Sequence, residues 1–350
     1  MTLGSRVHGG PDAAGVPRFD FSTNSNACGP CPLALTAVQQ ADACHYPDAS
    51  YARLRQQLAD FHGVVPTRVL LAGSASEFIF RVTAWVAQQR LGATDSLAPQ
   101  ASVSLPAHSY GDYAQAAQAW GLVATASPDA AHLVWACEPA SPLGGPHTGW
   151  PQWLVAPQSP LAGASPLPPP APLILDCAYE PLRLSGVRSL TQLQQVQVWQ
   201  LWTPNKALGL TGVRAAYVIA PLGSDAAVAA LERLCASWPL GGHGVALLQS
   251  WVRPPVQQWL AQSLPMLRDW KIRQVALLQA VGWQCLPSET PFFCARPAQP
   301  LDLSRLRAGG IKLRDTASFG LPGYYRLSVQ PPPTQDVLAR AIRQLPPAHS

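Results

Sequence analysis

From about residue 65 to 240 the chain alternates short apolar runs rich in β-branched and aromatic residues with longer stretches of helical spacing. The runs lie at 68–72, 132–136, 173–177, 196–202 and 213–220. Alternation of this kind builds βα units around a parallel or mostly parallel sheet. Between the first two runs, 76–91 places Phe78, Ile79, Val82, Trp85 and Val86 on one helical face, broad enough to lie on a sheet. The stretch 157–172, rich in Pro, Ser and Ala, reads as a surface connection before the next strand. After Trp238 the pattern changes to a long helix over 245–279, broken at Pro254-Pro255 and again at Pro265, then to short strands near 281–286, 291–296 and 324–329. The expected organisation is a large α/β domain over 31–238. A smaller α+β domain is assembled from 239–350 and from residues 1–30, which include an N-terminal arm.

At 350 residues the chain exceeds what one core usually supports, in keeping with that division. No apolar run approaches the roughly 20 residues needed to cross a bilayer, so no membrane partner is expected. The first fifteen residues carry one Arg and no apolar stretch, unlike a secretory or transit signal, which points to the cytoplasm. The eight Cys are scattered, several within apolar segments, as reduced buried thiols would be, and none joins a His at zinc-site spacing. Net charge is +5, yet only 12% of residues are charged and the basic ones form no run, so nucleic acid is not an expected partner. Of the 24 basic residues only Lys206, Lys271 and Lys312 are lysines, which narrows any amine chemistry to three positions.

Lys206 lies in TPNKALGLTGVR, a Gly-punctuated loop between two apolar strands, where its amine is expected at a strand end facing a cleft. A lysine on a surface loop is the plainer alternative. Lys271 reads as a solvated helix face and Lys312 as an exposed strand residue. Asp176 closes the buried run PLILD, where a carboxylate is costly unless paired, although a helix-capping Asp has the same look. Tyr179 follows three residues later. Gly73-Ser74-Ala75-Ser76 joins a strand to a helix, so its backbone N–H groups and hydroxyls form either a phosphate cradle or an ordinary cap. Arg214 opens the strand after Lys206. Arg314 and Arg326, in KLRDTASFGLPGYYRLSV, are candidates to clamp a substrate carboxylate or phosphate, or to form surface ion pairs. An amine, an anion, a phenol and a phosphate cradle in this order meet the needs of pyridoxal 5'-phosphate: a lysine bond, a partner for the pyridine nitrogen, a donor to the 3-oxygen and a phosphate site. The substrate expected is a small amino acid.

His8-Gly-Gly followed by DFSTNSNACGP at 20–30, YPDASYARLRQQLADFHGV at 46–64, LAGSASEFIF at 71–80 and IKLRDTASFGLPGYYRLSV at 311–329 extend the pattern over nearly the whole chain. Together they resemble the fold-type I pyridoxal-phosphate enzymes of the class I/II aminotransferase superfamily, nearest to histidinol-phosphate aminotransferases and the threonine-phosphate decarboxylases of cobalamin synthesis. The resemblance implies a large domain with a mostly parallel central sheet and a smaller α+β domain. It implies that Lys206 carries the cofactor, Asp176 pairs with its pyridine nitrogen and Tyr179 contacts its 3-oxygen. Ser74, Ala75, Ser76, Thr203 and Arg214 would hold the phosphate, and Tyr110 would stack on the ring. It further implies a homodimer in which Tyr46 reaches the partner subunit's cofactor phosphate. Asn24, Arg314 and Arg326 would bind substrate, with His8 meeting a phosphate on it.

Three departures stand out. Ser141 replaces the asparagine that normally supports the 3-oxygen, His108 precedes Tyr110 as a second candidate for the stack, and Gln330 ends a motif that usually closes on Arg. The readings that follow are decarboxylation of threonine phosphate, transamination of the histidinol-phosphate kind, and a cofactor-binding homologue with weakened turnover. Cys28-Gly-Pro-Cys31 separately reproduces a thioredoxin-like dithiol spacing, though no strand ends directly before it.

Overall fold

The computed structural model describes residues 8–91, 100–156 and 171–344; most of the Pro-rich stretch 157–172 lies outside them. Seven strands form the main sheet: β1 (Val69–Ala72), β2 (Ser102–Ser104), β3 (Val123–Ala124), β4 (Leu133–Cys137), β5 (Leu173–Asp176), β6 (Trp199–Trp202) and β7 (Ala216–Ile219). Their order across the sheet is β1-β7-β6-β5-β4-β2-β3. β7 runs antiparallel to both its neighbours, and the other pairs are parallel. Every residue of β1, β4, β5 and β7 is buried, which explains continuous apolar runs in place of alternation: both faces of a mostly parallel sheet are covered. The hydrophobic pattern misses β2 and β3, which are too short to carry a period, and β3 is exposed.

On one face, Trp135, Ile174 and Leu201 meet Phe78, Ile79, Val82 and Val86 of the helix Ala75–Leu91 and Tyr113 of the helix Gly111–Ala119. On the other, Leu175, Trp202 and Tyr217 pack under the helices Pro32–Gln39, Ala52–His62 and Gly242–Trp251. This second core takes in Leu247, Trp251, Leu260 and Leu267. The segment just past 238, expected in the smaller domain, therefore packs on the large sheet. A third core gathers Phe21, Leu278, Phe293, Leu327 and Leu338 around a four-stranded antiparallel sheet of Gln284–Cys285, Phe292–Arg296, Arg314–Asp315 and Tyr325–Ser328. Phe19–Asp20 joins this end of the molecule by pairing with Ile311–Lys312.

The long helix begins at Pro254, where a proline without N–H suits the first turn, and runs unbroken to Gln279. The second break expected at Pro265 does not occur. Pro265 is exposed, while Leu260, Ser263 and Leu267 on the opposite side are buried, so packing on both sides of the proline holds the helix together.

Two imidazoles, His147 buried and His62 half-buried, give the fold a signed pH dependence. Burial pushes His147, edge-on to Trp150 at 4.5 Å between ring centroids, from 6.5 down to about 4. Burial does the same to His62, with Arg188 adding to it. Between those values the unfolded chain binds protons that the folded chain refuses, so stability rises with pH across the window and is lost on acidification. Melting temperatures followed from pH 6.5 to 4 should fall, and less steeply in His147→Phe; identical slopes would contradict this origin.

Candidate active site

The parallel strands deliver their carboxyl ends to one edge of the sheet, where open α/β folds form their crevices. β5 ends on Asp176, β6 leads into Thr203 and Lys206, β1 into Ser74, and β4 into the loop carrying Ser141. These residues line one cavity of about 680 Å³, together with Ala75, Ser76, Tyr110, Tyr179 and Arg214, and with His8, Asn24, Arg314 and Arg326.

Lys206 is held by its backbone, its carbonyl accepting from Asn26 N at 2.9 Å. Gly209 lets the loop turn at φ 70°; a β-carbon there would collide with the backbone of Gly29. The Lys206 amine lies 3.4 Å from Thr203 Oγ1 and 5.5 Å from the centre of the Tyr179 ring. No carboxylate pairs with it among the described residues. The other two lysines depart from expectation and lie outside the cavity. Lys271 is half-buried and donates to the Ser288 carbonyl, and burial pushes it down to about 8. Lys312 donates to the Gly10 carbonyl at 2.6 Å and pairs with Asp12 at 3.0 Å. Asp12 also pairs with Arg307 at 2.8 Å, so this clasp ties down the arm that carries His8.

Asp176 is 6% exposed. Its Oδ1 accepts from Ala178 N at 2.9 Å and its Oδ2 from the Tyr113 phenol at 2.6 Å. Burial, and then the Asp176 charge itself, push the Tyr113 pKa well up, so the phenol keeps its proton and is the donor. Tyr113 stacks on Trp135 at 4.3 Å and 13°. Sequence reasoning missed it; its one signal was the spacing of three from Tyr110 at a helix start, which puts both rings on one side.

The Tyr179 hydroxyl accepts from Asn24 Nδ2 at 3.3 Å. Ser74 does cap the following helix, accepting from Glu77 N at 3.1 Å, while Ser76 Oγ lies 3.3 Å from the Tyr110 hydroxyl. Burial pushes the Tyr110 phenol up to about 12. Arg214 reaches the same cavity and makes no ion pair among the described residues. Arg326 donates to Ser141 Oγ at 3.2 Å and to the Ser22 carbonyl at 3.1 Å, and its buried Nε has no partner. Arg314 donates to Ser318 Oγ at 2.8 Å. Phe319, also unforeseen, lies under both guanidiniums, at 4.8 Å from Arg314 and 5.5 Å from Arg326. Burial lowers the pKa of each, and Arg326 adds to the shift of Arg314.

Several expected residues stand elsewhere. Tyr46 is 79% exposed, away from the cavity, and stacks on Trp238 at 4.6 Å. His108 is tethered by Nδ1 to the Phe319 carbonyl at 2.7 Å and does not line the cavity, whereas Tyr110 does. Gln330 donates to the Asp20 carbonyl and Ser328 Oγ, both at 2.9 Å, as a structural brace. Cys28 and Cys31 are free thiols, and burial pushes Cys28 up to about 11, the reverse of what a reactive dithiol needs.

The donor set fits pyridoxal phosphate. Among the described residues, the Lys206 amine, the Asp176 carboxylate and the Arg214 guanidinium face one cavity without ionic partners, and the buried Asn24 Oδ1, Asn205 Oδ1 and Arg326 Nε make no hydrogen bond. The family described as aminotransferase class I and II matches residues 172–345, a span that includes Asp176, Tyr179, Lys206, Arg214, Arg314 and Arg326. The chain belongs to the class I and II aminotransferase family. A histidinol-phosphate aminotransferase of Jannaschia sp. is 27% identical over 336 residues, 89% of this chain and 87% of that one. The histidinol-phosphate aminotransferase of Sinorhizobium meliloti, solved with pyridoxal 5'-phosphate, superposes with a TM-score of 0.70 at 22% identity, over 93% of this chain and 90% of the other. The L-threonine-O-3-phosphate decarboxylase of Porphyromonas gingivalis gives 0.69 at 17% identity, over 92% and 98%. This class I/II family member is thus a pyridoxal-phosphate enzyme. No helix among its described residues is long and apolar enough to cross a membrane.

Proposed function

We propose that the enzyme decarboxylates L-threonine-O-3-phosphate. When bound, the cofactor supplies an electron sink for the bond broken at the substrate Cα. Lys206 would hold it and move protons at Cα; Asp176, oriented by Tyr113, would keep a proton on the pyridine nitrogen. Tyr179 would donate to the 3-oxygen, Tyr110 stack on the ring, and Ser74, Ser76, Thr203 and Arg214 grip the phosphate, with Ala75 lending its backbone N–H. In a homodimer, the exposed Tyr46 would reach the partner subunit's site.

The observation that carries the substrate reading is the pair Arg314 and Arg326, two buried guanidiniums on one cavity. A substrate with two anionic groups matches them: Arg326, beside Ser141 and Tyr179, for the carboxylate, and Arg314, with His8 at the mouth, for the phosphate. Asn24, bonded to Tyr179, would orient the amino acid between them. Histidinol phosphate carries one anionic group and no carboxylate. The relatives named histidinol-phosphate aminotransferases keep transamination as the second reading, since a dicarboxylic amino-group donor would also occupy two guanidiniums. With threonine phosphate and no keto acid, the purified enzyme should release carbon dioxide in stoichiometric amount with an amino-alcohol phosphate. Product that appears only when a keto acid is added would overturn decarboxylation in favour of transamination.

A further inference from the structure

A second cavity, of about 640 Å³, opens on the far side of the main sheet, between it and the helices Ala52–His62, Gly242–Trp251 and Pro254–Gln279. It backs on to the active site: Glu180 and Trp202 line it, while their chain neighbours Tyr179 and Thr203 line the first cavity. Its volume is that of a small-molecule site.

Aromatic groups form its walls. Phe61 meets Trp251 edge-on at 5.8 Å, and His62 lies 5.0 Å from Trp202. The imidazole is held in one tautomer. Trp251 Nε1, which can only donate, gives its hydrogen to the Tyr217 hydroxyl at 3.0 Å. Tyr217 is wholly buried, so its own proton needs an acceptor, and His62 Nε2 at 2.8 Å supplies one. His62 then carries its hydrogen on Nδ1, which has no protein partner among the described residues and is not sealed from solvent. It stays neutral at ordinary pH because burial pushes it to about 4.

Two guanidiniums line the same cavity. Arg68 is half-buried, donates Nε to the Ala220 carbonyl at 2.7 Å and has no carboxylate partner among the described residues. Arg188 is paired with Glu180 at 2.6 Å, and Arg183, which shares that carboxylate, also holds Glu138 and Glu289, so Arg188 is compensated and Arg68 is the cation left for a ligand. Flat aromatic walls, an imidazole N–H and an uncompensated guanidinium together favour a ligand with a planar ring and an anionic acceptor at its edge. We propose that this cavity is a second small-molecule site, for a planar aromatic carboxylate, separate from the cofactor cavity and independent of the substrate reading given above.

The probe is 2-naphthoate, titrated calorimetrically into the cofactor-loaded enzyme, with 2-naphthalenemethanol as the uncharged analogue. Saturable 2-naphthoate binding is expected, and the alcohol should bind about tenfold more weakly, the value of one charge-assisted contact. Ala261→Trp, at an exposed position on the cavity wall, should abolish binding while leaving turnover and melting temperature unchanged. Arg68→Met should weaken 2-naphthoate by a similar factor of about ten without affecting the alcohol. Absence of saturable binding, binding that survives Ala261→Trp, or equal affinity for acid and alcohol would each overturn the proposal.

Discussion

Lys206→Ala is expected to lower kcat by at least about 10³-fold, the scale of a lost acid–base group, and to abolish the absorbance band of covalently held cofactor. The amine is alone in position to do this work, because Lys271 is bonded to Ser288 and Lys312 to Gly10 and Asp12, both outside the cavity. The melting temperature without cofactor should hardly move, since among the described residues the Lys206 side chain makes one long hydrogen bond, 3.4 Å to Thr203. Spectra before and after cofactor loading, alongside turnover, check both halves. A variant that keeps the band would put the covalent bond on another residue.

Asp176→Asn should lower kcat by about 10²–10³-fold, the scale found when a preorganised electrostatic partner is removed. The carboxamide keeps the size of the side chain and an oxygen for the Tyr113 phenol, so the cavity should hold its shape. What it removes is the negative charge that, in the proposed site, would keep the pyridine nitrogen protonated. Cofactor affinity measured beside kcat separates the two: affinity should fall far less than kcat. A variant with wild-type kcat would mean that the carboxylate faces Tyr113 and Ala178 for structural reasons alone.

The parts of the site that were legible in the sequence are those that break a local rule. A charge closing the apolar run PLILD, and a lysine in a Gly-punctuated loop between two buried strands, conflict with the pattern around them. Such conflicts gather where function has overridden packing. The main strands were legible because a covered sheet needs unbroken apolar runs. What remained hidden depends on neighbours far away in the chain. Ser102–Ser104 and Val123–Ala124 are strands only because longer strands lie beside them. Pro265 sits in an unbroken helix because Leu260 and Leu267 are held by a core built from other segments. The amphipathic pattern turns Lys271 and Lys312 outward, yet both find backbone carbonyls, one 17 and the other 302 residues away. Tyr113 meets Asp176 across 63 residues of sequence, and its spacing from Tyr110 tells which side it faces but not that a carboxylate waits there.

Borohydride reduction of the cofactor-loaded enzyme, followed by proteolysis and mass mapping of the pyridoxyl group, tests the assignment of the site most directly. The label should lie on the peptide containing TPNKALGL, at Lys206, with Lys271 and Lys312 unmodified. A label on either of those two lysines, or none after loading, would contradict it.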